Sequence, residues 1–179
     1  MGKKKIRIGI IAVSLLLVIV ASFYFYNSKE LYGNDKESIV KVIKSIGDYK
    51  NKEIKILEIY DFNDVRIVGF LSNNSPSYIE FQKNKKGDYV WRHIESDNKE
   101  SFSMFLPFLG SSKMMMFVTN NSNKIAKMQV VINGTTFEQN FSPYRETVTC
   151  VDLPQTNKGS YEFRNYQYYD KDGKPIKEN

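Results

Sequence analysis

The sequence is poor in the two side chains on which most metal sites and many nucleophilic centres depend. It contains one cysteine, Cys150, and one histidine, His93, among 179 residues. A single cysteine excludes a disulfide within the chain, and no Cys-x-x-Cys pair or cysteine and histidine set is present to hold zinc. We therefore expect neither a metal nor a cofactor, and any catalytic triad would have to be built around His93.

A surplus of positive charge is also missing from most of the chain. Lys and Arg outnumber Asp and Glu by 26 to 20, but four of the basic residues lie within the first seven positions. The remainder carries 22 basic and 20 acidic residues, whereas a nucleic-acid-binding protein needs a basic patch on a recognisable reading module. The charge pattern therefore argues against nucleic acid as a partner.

A stretch of 19 residues without charge lies near the N-terminus, at 8–26. A helix of that length, rising about 1.5 Å per residue, spans roughly the hydrocarbon core of a bilayer. Its flanking residues are Lys3, Lys4, Lys5 and Arg7 before the run and Phe23, Tyr24, Phe25 and Tyr26 at its end. Basic residues beside a first span stay in the cytoplasm, and aromatic residues settle at the headgroup level. The pattern predicts a cytoplasmic tail at 1–7, a transmembrane helix at 8–26 and an extracytoplasmic remainder.

A cleaved signal peptide is the competing interpretation, because it also begins with basic residues and an apolar run. A signal peptidase requires small residues one and three positions before the cut. Ala21 supplies one of them, but Ile19 occupies the other position and four aromatic residues follow. The sequence therefore favours a retained single-pass anchor.

The rest of the chain predicts an α+β fold that is mostly β. After a polar stem at 27–33, Asn34-Asp-Lys-Glu37 resembles a capping box and starts an amphipathic helix, with Gly47 as its stop. Ile39, Val40, Ile43 and Ile46 are its predicted apolar face. Four apolar runs follow between turn residues, at 54–60, 65–71, 78–83 and 89–95. They predict an antiparallel meander covered by the helix, so 34–95 is the first predicted domain.

A polar segment at 96–101 is the predicted boundary, and the pattern after it is strand and turn throughout. The predicted strands are 102–108, 114–119, 125–132, 135–141, 147–153 and 160–169. Asn133-Gly134 is a strong hairpin signal. Six or seven short strands in about 80 residues are typical of a small β-sandwich of immunoglobulin-like size, which we assign to 102–179.

Two single residues invite a catalytic interpretation. Strand alternation puts His93 on one face with Tyr89 and Trp91, where a packing or surface histidine is the simpler interpretation. Cys150 lies in the middle of a predicted strand, and we expect it to be a small buried apolar residue, since no neighbour in sequence would lower its pKa. We therefore assign no catalytic residue.

Two short motifs are equally open to a structural explanation. Ser38-Ile-Val-Lys41 matches the S-x-x-K pattern of some penicillin-binding proteins, but the companion motifs are missing. Asp170-Lys-Asp-Gly173 resembles the start of a calcium loop without its later ligands. We expect the first on a helix surface and the second in a tight turn.

The last long predicted strand is rich in tyrosine. Alternation sends Tyr161, Phe163 and Tyr169 to one face and Tyr166 and Tyr168 to the other. Because this is more aromatic surface than one strand face can bury, some of it is expected to face solvent or a partner. Tyr166, Tyr168 and Tyr169 are the candidate patch for binding a protein or a cell-wall glycan.

The chain has a lysine-rich start, then one predicted span, a short helix and strands. The strand region contains the segments Val65-Arg-Ile-Val-Gly-Phe70, Val151-Asp-Leu-Pro154 and Tyr169-Asp-Lys-Asp-Gly173. The chain resembles uncharacterised small membrane-anchored proteins of bacilli and related Gram-positive bacteria. The resemblance covers most of the chain and implies the single-pass topology without implying an activity. A lysine excess of 21 over 5 arginines also favours an AT-rich source.

These observations predict a non-enzymatic binding or accessory module at the cell envelope. An envelope hydrolase that uses carboxylates is the first alternative, because pairs of Asp and Glu need no local motif. An immunity or sensory accessory to a neighbouring gene product is the second.

Overall fold

The computed structural model describes residues 31–98, 100–109, 112–154 and 160–176, together with Leu17. The predicted tail at 1–7, nearly all of the predicted span at 8–26 with its flanking residues, and most of the stem at 27–33 lie outside this part of the chain. In the described residues no helix is both long enough and apolar enough to cross a membrane. The anchor stays a prediction.

The first sheet is a four-stranded antiparallel meander in the order β1-β2-β3-β4. Its strands are β1 (Ile54–Phe62), β2 (Val65–Ser72), β3 (Ser75–Lys83) and β4 (Tyr89–Ser96). The tight turns use Asn63, Asn73 and Asn74 at positive φ, a conformation that asparagine tolerates better than most residues. The predicted meander is confirmed, with strands that extend up to three residues beyond the predicted bounds.

Helix α1 (Lys36–Ser45) and a 3₁₀ turn (Gly47–Tyr49) precede the meander. The N-cap is Asp35, whose carboxylate accepts a hydrogen bond from the Ser38 backbone N–H at 2.8 Å, while Ser38 Oγ accepts one from the Asp35 N–H at 2.9 Å. The prediction of Asn34 as cap was wrong by one residue. The reason is that the Asn34 side chain bonds Asp88 and the backbone N–H of Tyr89.

The helix covers one face of the first sheet and forms a first hydrophobic core there. Ile39, Val42 and Ile43 are fully buried in this core, whereas the predicted Val40 and Ile46 lie at its margin. The sheet contributes Ile56, Val68, Phe70, Ile79, Phe81 and Tyr89. The amphipathic prediction is therefore right in kind, but the buried face is centred on Val42.

A second antiparallel sheet has the order β10-β7-β5, with the short β6 also paired to β7. Its strands are β5 (Phe102–Phe105), β6 (Phe108–Leu109), β7 (Ser112–Thr119) and β10 (Thr147–Asp152). The predicted strand 102–108 is split in two at 106–107. Pro107 accounts for the break, because it has no N–H to donate to a ladder.

The third sheet is also antiparallel and has the order β12-β11-β8-β9. Its strands are β8 (Lys127–Ile132), β9 (Thr135–Asn140), β11 (Phe163–Tyr169) and β12 (Pro175–Ile176). Asn133 and Gly134 join β8 to β9 at φ of 51° and 87°, the two positive values of a type I′ turn, so the predicted hairpin is confirmed. The mostly β prediction, with antiparallel sheets and a helix, is likewise confirmed.

The three sheets lie face to face in a stack. The face of the first sheet away from α1 meets the second sheet in a second core, which contains Ile67, Leu71, Tyr78, Phe105, Met114, Met116 and Val118. The opposite face of the second sheet meets the third sheet in a third core, which contains Met115, Phe117, Met128, Val130, Ile132 and Leu153. The segment 96–101 thus connects two parts that share the second core.

Gly69 on β2 makes the close approach of the first two sheets possible. A Cβ placed there would lie 2.5 Å from Val148 Cγ2 and 2.8 Å from Met116 Cε. Both distances are shorter than carbon contacts allow, so the second sheet rests against the bare backbone at this position. Gly69 is therefore needed for the packing of two sheets and not for a turn.

Arg66 holds the start of the described domain onto the first sheet. Its Nε and Nη2 donate to the two carboxylate oxygens of Asp61 at 2.6 and 2.7 Å, and Nη1 donates to the carbonyls of Gly33 and Asn34, each at 2.8 Å. The guanidinium carbon lies 4.0 Å from the centre of the Tyr89 ring. The two hydrogen bonds from Arg66 to the Asp61 carboxylate hold the pKa of Asp61 below its ordinary value. The chain leaving the predicted stem is therefore fixed before α1 begins.

The substitution Gly69→Ala is expected to lower the free energy of unfolding by about 1–3 kcal/mol, because the new methyl group overpacks the contact between the first two sheets. Gly47→Ala is the matched control, since a Cβ at Gly47 meets nothing within 4 Å. Thermal or urea unfolding of both variants measures the difference. Equal stability of the two would contradict the close approach at Gly69.

Candidate functional site

A groove of about 810 Å³ runs along the outer edge of the second sheet, between β5 and β11. A hollow of about 430 Å³ adjoins it and shares Tyr166, Tyr168 and Ile176 with it. The groove also contains two carboxylates, Asp97 and Glu100, which the sequence analysis did not identify. Its size falls in the range of about 300–1,000 Å³ that is usual for ligand sites.

A β-bulge in β11 brings the two tyrosines together. The pairing of β11 with β8 shifts between Arg164 and Gln167, and Asn165 takes a positive φ of 56°. Tyr166 leaves the regular ladder, and its ring stacks beside that of Tyr168, with centroids 6.4 Å apart and planes inclined by 17°. Bulges often serve to redirect a side chain in this way.

The same bulge overturns the predicted alternation. Phe163 and Tyr168 both pack on the third core, whereas Tyr169 pairs with Lys127 on the opposite face of the third sheet. The prediction that Phe163 and Tyr169 share a face was wrong, because one extra residue in a strand reverses every side chain after it. Strand periodicity by itself does not reveal such an insertion.

Tyr168 connects the exposed tyrosine to the interior. Its ring meets Phe102 edge to face at 5.8 Å, and Phe102 meets Phe141 at 5.0 Å within the third core. Tyr166 lies farther out, with 37% of its surface exposed, and its partial burial raises the pKa of its hydroxyl. The groove thus has an exposed aromatic ring supported from behind by a partly buried aromatic cluster.

Tyr169, the third member of the predicted patch, is placed differently. Its hydroxyl lies 2.8 Å from Gln129 Oε1 and 2.7 Å from Gln167 Oε1, and Lys127 Nζ sits 4.6 Å from the ring centre. It lines the smaller hollow but does not line the groove. The structure therefore brings Tyr166 and Tyr168 together in the groove, while the Tyr169 ring makes polar contacts on the other face.

The acidic wall of the groove is formed by the segment that the sequence analysis treated as a boundary. Ser103 Oγ, on β5, donates to Asp97 Oδ2 at 3.0 Å, and the Asp97 backbone N–H donates to the Pro76 carbonyl at 2.9 Å. The carboxylate of Asp97 is thereby held in position. In the sequence, the polar composition of 96–101 was the only signal of this wall. Polar residues in a loop rarely distinguish a binding site from a linker.

Two buried asparagines hold the floor of the groove, which carries Ser122 and Lys124. Asn120 Nδ2 donates to the carbonyls of Asn74 and Glu100, and its Oδ1 accepts from the Ser122 N–H at 2.8 Å. Asn123 Oδ1 accepts from a backbone N–H two residues on, at 3.0 Å. Such Asx turns give the loop a defined shape.

His93 lies on a different face from the one that alternation predicts. A bulge between β3 and β4 puts it opposite Glu80, on the side of the second sheet, while Tyr89 is buried on the α1 side. The His93 side chain is 53% exposed, lies 3.6 Å from a carboxylate oxygen of Glu95, and packs against the Tyr78 ring at 5.5 Å. This agrees with the expected surface histidine.

Glu80 is the charged residue most deeply placed between the first two sheets. Only 9% of it is exposed, and its Oε2 accepts a hydrogen bond from the backbone N–H of Phe108 at 3.1 Å. Burial raises the pKa of this carboxyl above its ordinary value, and the Phe108 N–H and His93 lower it to a lesser extent. Glu80 thereby ties β6 to the first sheet.

The remaining motifs have structural roles. Cys150 packs against the second core, and burial raises its pKa to about 12, so the thiol stays protonated at neutral pH. Ser38 caps α1. Asp170 Oδ1 accepts two backbone N–H groups, those of Asp172 and Lys174, which confirms the predicted turn between β11 and β12. Across the described part of the chain, no three His, Cys, Asp or Glu side chains come together as a metal site.

The variant Glu80→Gln is expected to be more stable than the wild type at pH 7, and the difference should shrink as the pH falls toward 4.5. A raised folded-state pKa means that the contribution of Glu80 to stability is complete below its ordinary value of 4.5 and is lost as the pH rises through the folded-state pKa. Glutamine keeps an acceptor for the Phe108 N–H without the cost of a buried charge.

Unfolding by urea at a series of pH values measures this dependence. The exposed strand residue Glu58 supplies the control variant, Glu58→Gln, which removes a carboxylate without removing a buried one. A gain for Glu80→Gln that is the same at pH 4.5 and pH 7 would show that the Glu80 carboxylate carries no burial cost.

Comparison of the chain with protein-family models, with curated proteins and with solved structures finds no match. The resemblance to small membrane-anchored proteins of bacilli stays a prediction.

Proposed function

We propose that the chain is a non-enzymatic binding module of the cell envelope, anchored by 8–26, with its ligand site in the groove between β5 and β11. The observation that carries the proposal is the stacked pair of Tyr166 and Tyr168 in a groove of about 810 Å³. Tyrosine offers a large, rigid contact area at a low cost in conformational entropy, and it is enriched in binding surfaces for that reason.

The construction of the groove supports a binding role. The tyrosine pair rests on Phe102, the acidic wall is held by Ser103, and the floor is held by Asn120 and Asn123. A site whose walls are already held by hydrogen bonds and packing loses little entropy on binding. The tyrosine pair, the acidic wall and the floor come from three separate parts of the chain. Loops that only connect strands would not need to be held together in this way.

The topology supports an envelope location. The basic residues Lys3, Lys4, Lys5 and Arg7 precede the apolar run, and this order directs everything after the run to the outside. Arg66 fixes Gly33 and Asn34 on the first sheet, so the proposed stem would enter a firmly held domain.

For 102–179 we infer the immunoglobulin-like sandwich that the strand number favours. The second and third sheets enclose the third core between them, as the two sheets of a sandwich do. The label rests on this arrangement, on the short strands and on the length of the segment.

In the native host, the full-length protein with a C-terminal tag is expected in the membrane fraction and should lose the tag when protease is added to intact protoplasts. A cytoplasmic protein with the same tag serves as the control and should stay protected. Release of a shortened soluble form would contradict the anchor, and a protected tag would contradict the orientation.

Occupation of the groove is testable by photo-crosslinking in living cells. Replacement of Tyr166 by p-benzoylphenylalanine in the full-length chain is expected to capture a reproducible adduct, either a protein or wall material. The control carries the same photoreactive residue at Tyr144, which is 55% exposed and does not line the groove. Equal or absent adducts at the two positions would count against the groove as the ligand site.

An envelope hydrolase is the second candidate, because the groove contains two carboxylates, Asp97 and Glu100. Glycoside hydrolysis requires such a pair, one residue as acid and the other as base or nucleophile. Incubation of the full-length protein with purified cell walls distinguishes the two functions. Release of soluble sugar that Asp97→Asn and Glu100→Gln both abolish would establish the hydrolase, and undigested walls would favour the binding module.

A further inference from the structure

We infer that the groove binds an uncharged polysaccharide, with Tyr166 and Tyr168 as the stacking surface and with Asp97 and Glu100 as acceptors for sugar hydroxyl groups. The inference rests on the proposed function and names the chemical class of its ligand. The ligand must match three features of the groove: flat aromatic rings, two carboxylates that accept hydrogen bonds, and a charge balance that disfavours anions.

The aromatic rings suit the apolar face of a sugar. A pyranose ring presents C–H groups on one face and hydroxyl groups around its rim, so it can cover an aromatic ring without burying polar atoms. The Tyr166 and Tyr168 rings are stacked with their planes inclined by only 17°, so a sugar unit can cover the exposed ring of the pair. The Tyr166 ring is exposed and is supported by Tyr168, so stacking requires little rearrangement.

The polar groups of the groove suit the hydroxyl rim. A carboxylate only accepts hydrogen bonds, and bonds to a charged acceptor are stronger than neutral ones. Asp97 already accepts from Ser103 through Oδ2, which orients the carboxylate toward a fixed direction. Ser101, Ser122 and Lys124 lie in the same groove and add hydroxyl and ammonium donors for sugar oxygens.

The charges disfavour the other polymers of an envelope. Among the described residues that line the groove, Asp97 and Glu100 supply two negative charges and Lys124 supplies one positive charge. A polymer with a phosphate in every unit would meet net repulsion in this groove. A peptide that adds a strand along β5 would find an edge of only four residues, Phe102–Phe105, so a protein partner is the less favoured occupant.

The test is binding of neutral hexasaccharides of N-acetylglucosamine, glucose and mannose to the full-length protein in detergent micelles, measured by calorimetry. We expect at least one of them to bind and Tyr166→Ser to weaken that binding about tenfold or more, as loss of a stacking partner does elsewhere. Tyr144→Ser, the matched exposed control, should bind as the wild type does. Affinity should change little between low and high salt, because the ligand is uncharged.

The substitution Asp97→Asn tests the carboxylate part of the site separately from its aromatic part. It keeps an acceptor for Ser103 but loses the charge, so it should weaken binding while the melting temperature stays that of the wild type. Binding that Tyr166→Ser leaves unchanged, or that salt abolishes, would overturn the assignment.

Failure of this inference differs from failure of the proposed function. If no hexasaccharide binds but the photoreactive residue at position 166 captures a protein, the ligand is a protein and the binding module stands. If no hexasaccharide binds and position 166 captures nothing beyond the Tyr144 control, both proposals fail.

Discussion

Burial of β7 on both of its faces is the constraint on which the rest of the structure depends. Met114, Met116 and Val118 lie in the second core, and Met115 and Phe117 lie in the third, so one strand holds two sheets against its own. Methionine suits this position because its flexible side chain fills irregular gaps between layers. Gly69 completes the arrangement by letting the first sheet approach without a side chain between them. A polar substitution at any of these five β7 positions would disrupt the one core in which that side chain lies.

The candidate site follows from this stack. Phe102 on β5 packs into the third core because β5 pairs with β7, and that packing brings it against Tyr168 of β11. The groove is therefore the place where the margins of two stacked sheets meet. The bulge at Asn165 then turns Tyr166 toward the same opening. Core packing supplies the groove, and a local irregularity supplies its exposed aromatic surface.

Two charged residues of the first sheet, Arg66 and Glu80, show how the partners of a group decide its charge state. Arg66 has the carboxylate of Asp61 as its partner, and the pKa of Asp61 is lowered by the bond. Glu80 has a backbone N–H as its hydrogen-bond partner, and burial raises its pKa. Both residues hold a segment in place: Arg66 holds Gly33 and Asn34, and Glu80 holds the strand β6. The bond between Arg66 and Asp61 weakens when Asp61 is protonated in acid. By contrast, the buried charge of Glu80 lowers the stability of the fold at neutral pH.

The sequence by itself determined the elements whose causes are local. Helix α1, the four-stranded meander, the Asn133-Gly134 hairpin and the Asp170 turn all follow from short-range periodicity, caps and turn chemistry. The predicted span at 8–26 is likewise a property of the sequence alone. Only the tertiary structure decided which residues share a face in β4 and β11, since a bulge reverses alternation without altering composition. Only it placed Asp97 and Glu100 in the same groove as Tyr166, which lies about 70 residues farther along the chain. This shared groove arises from the packing of whole sheets, and no pattern within a single segment encodes it.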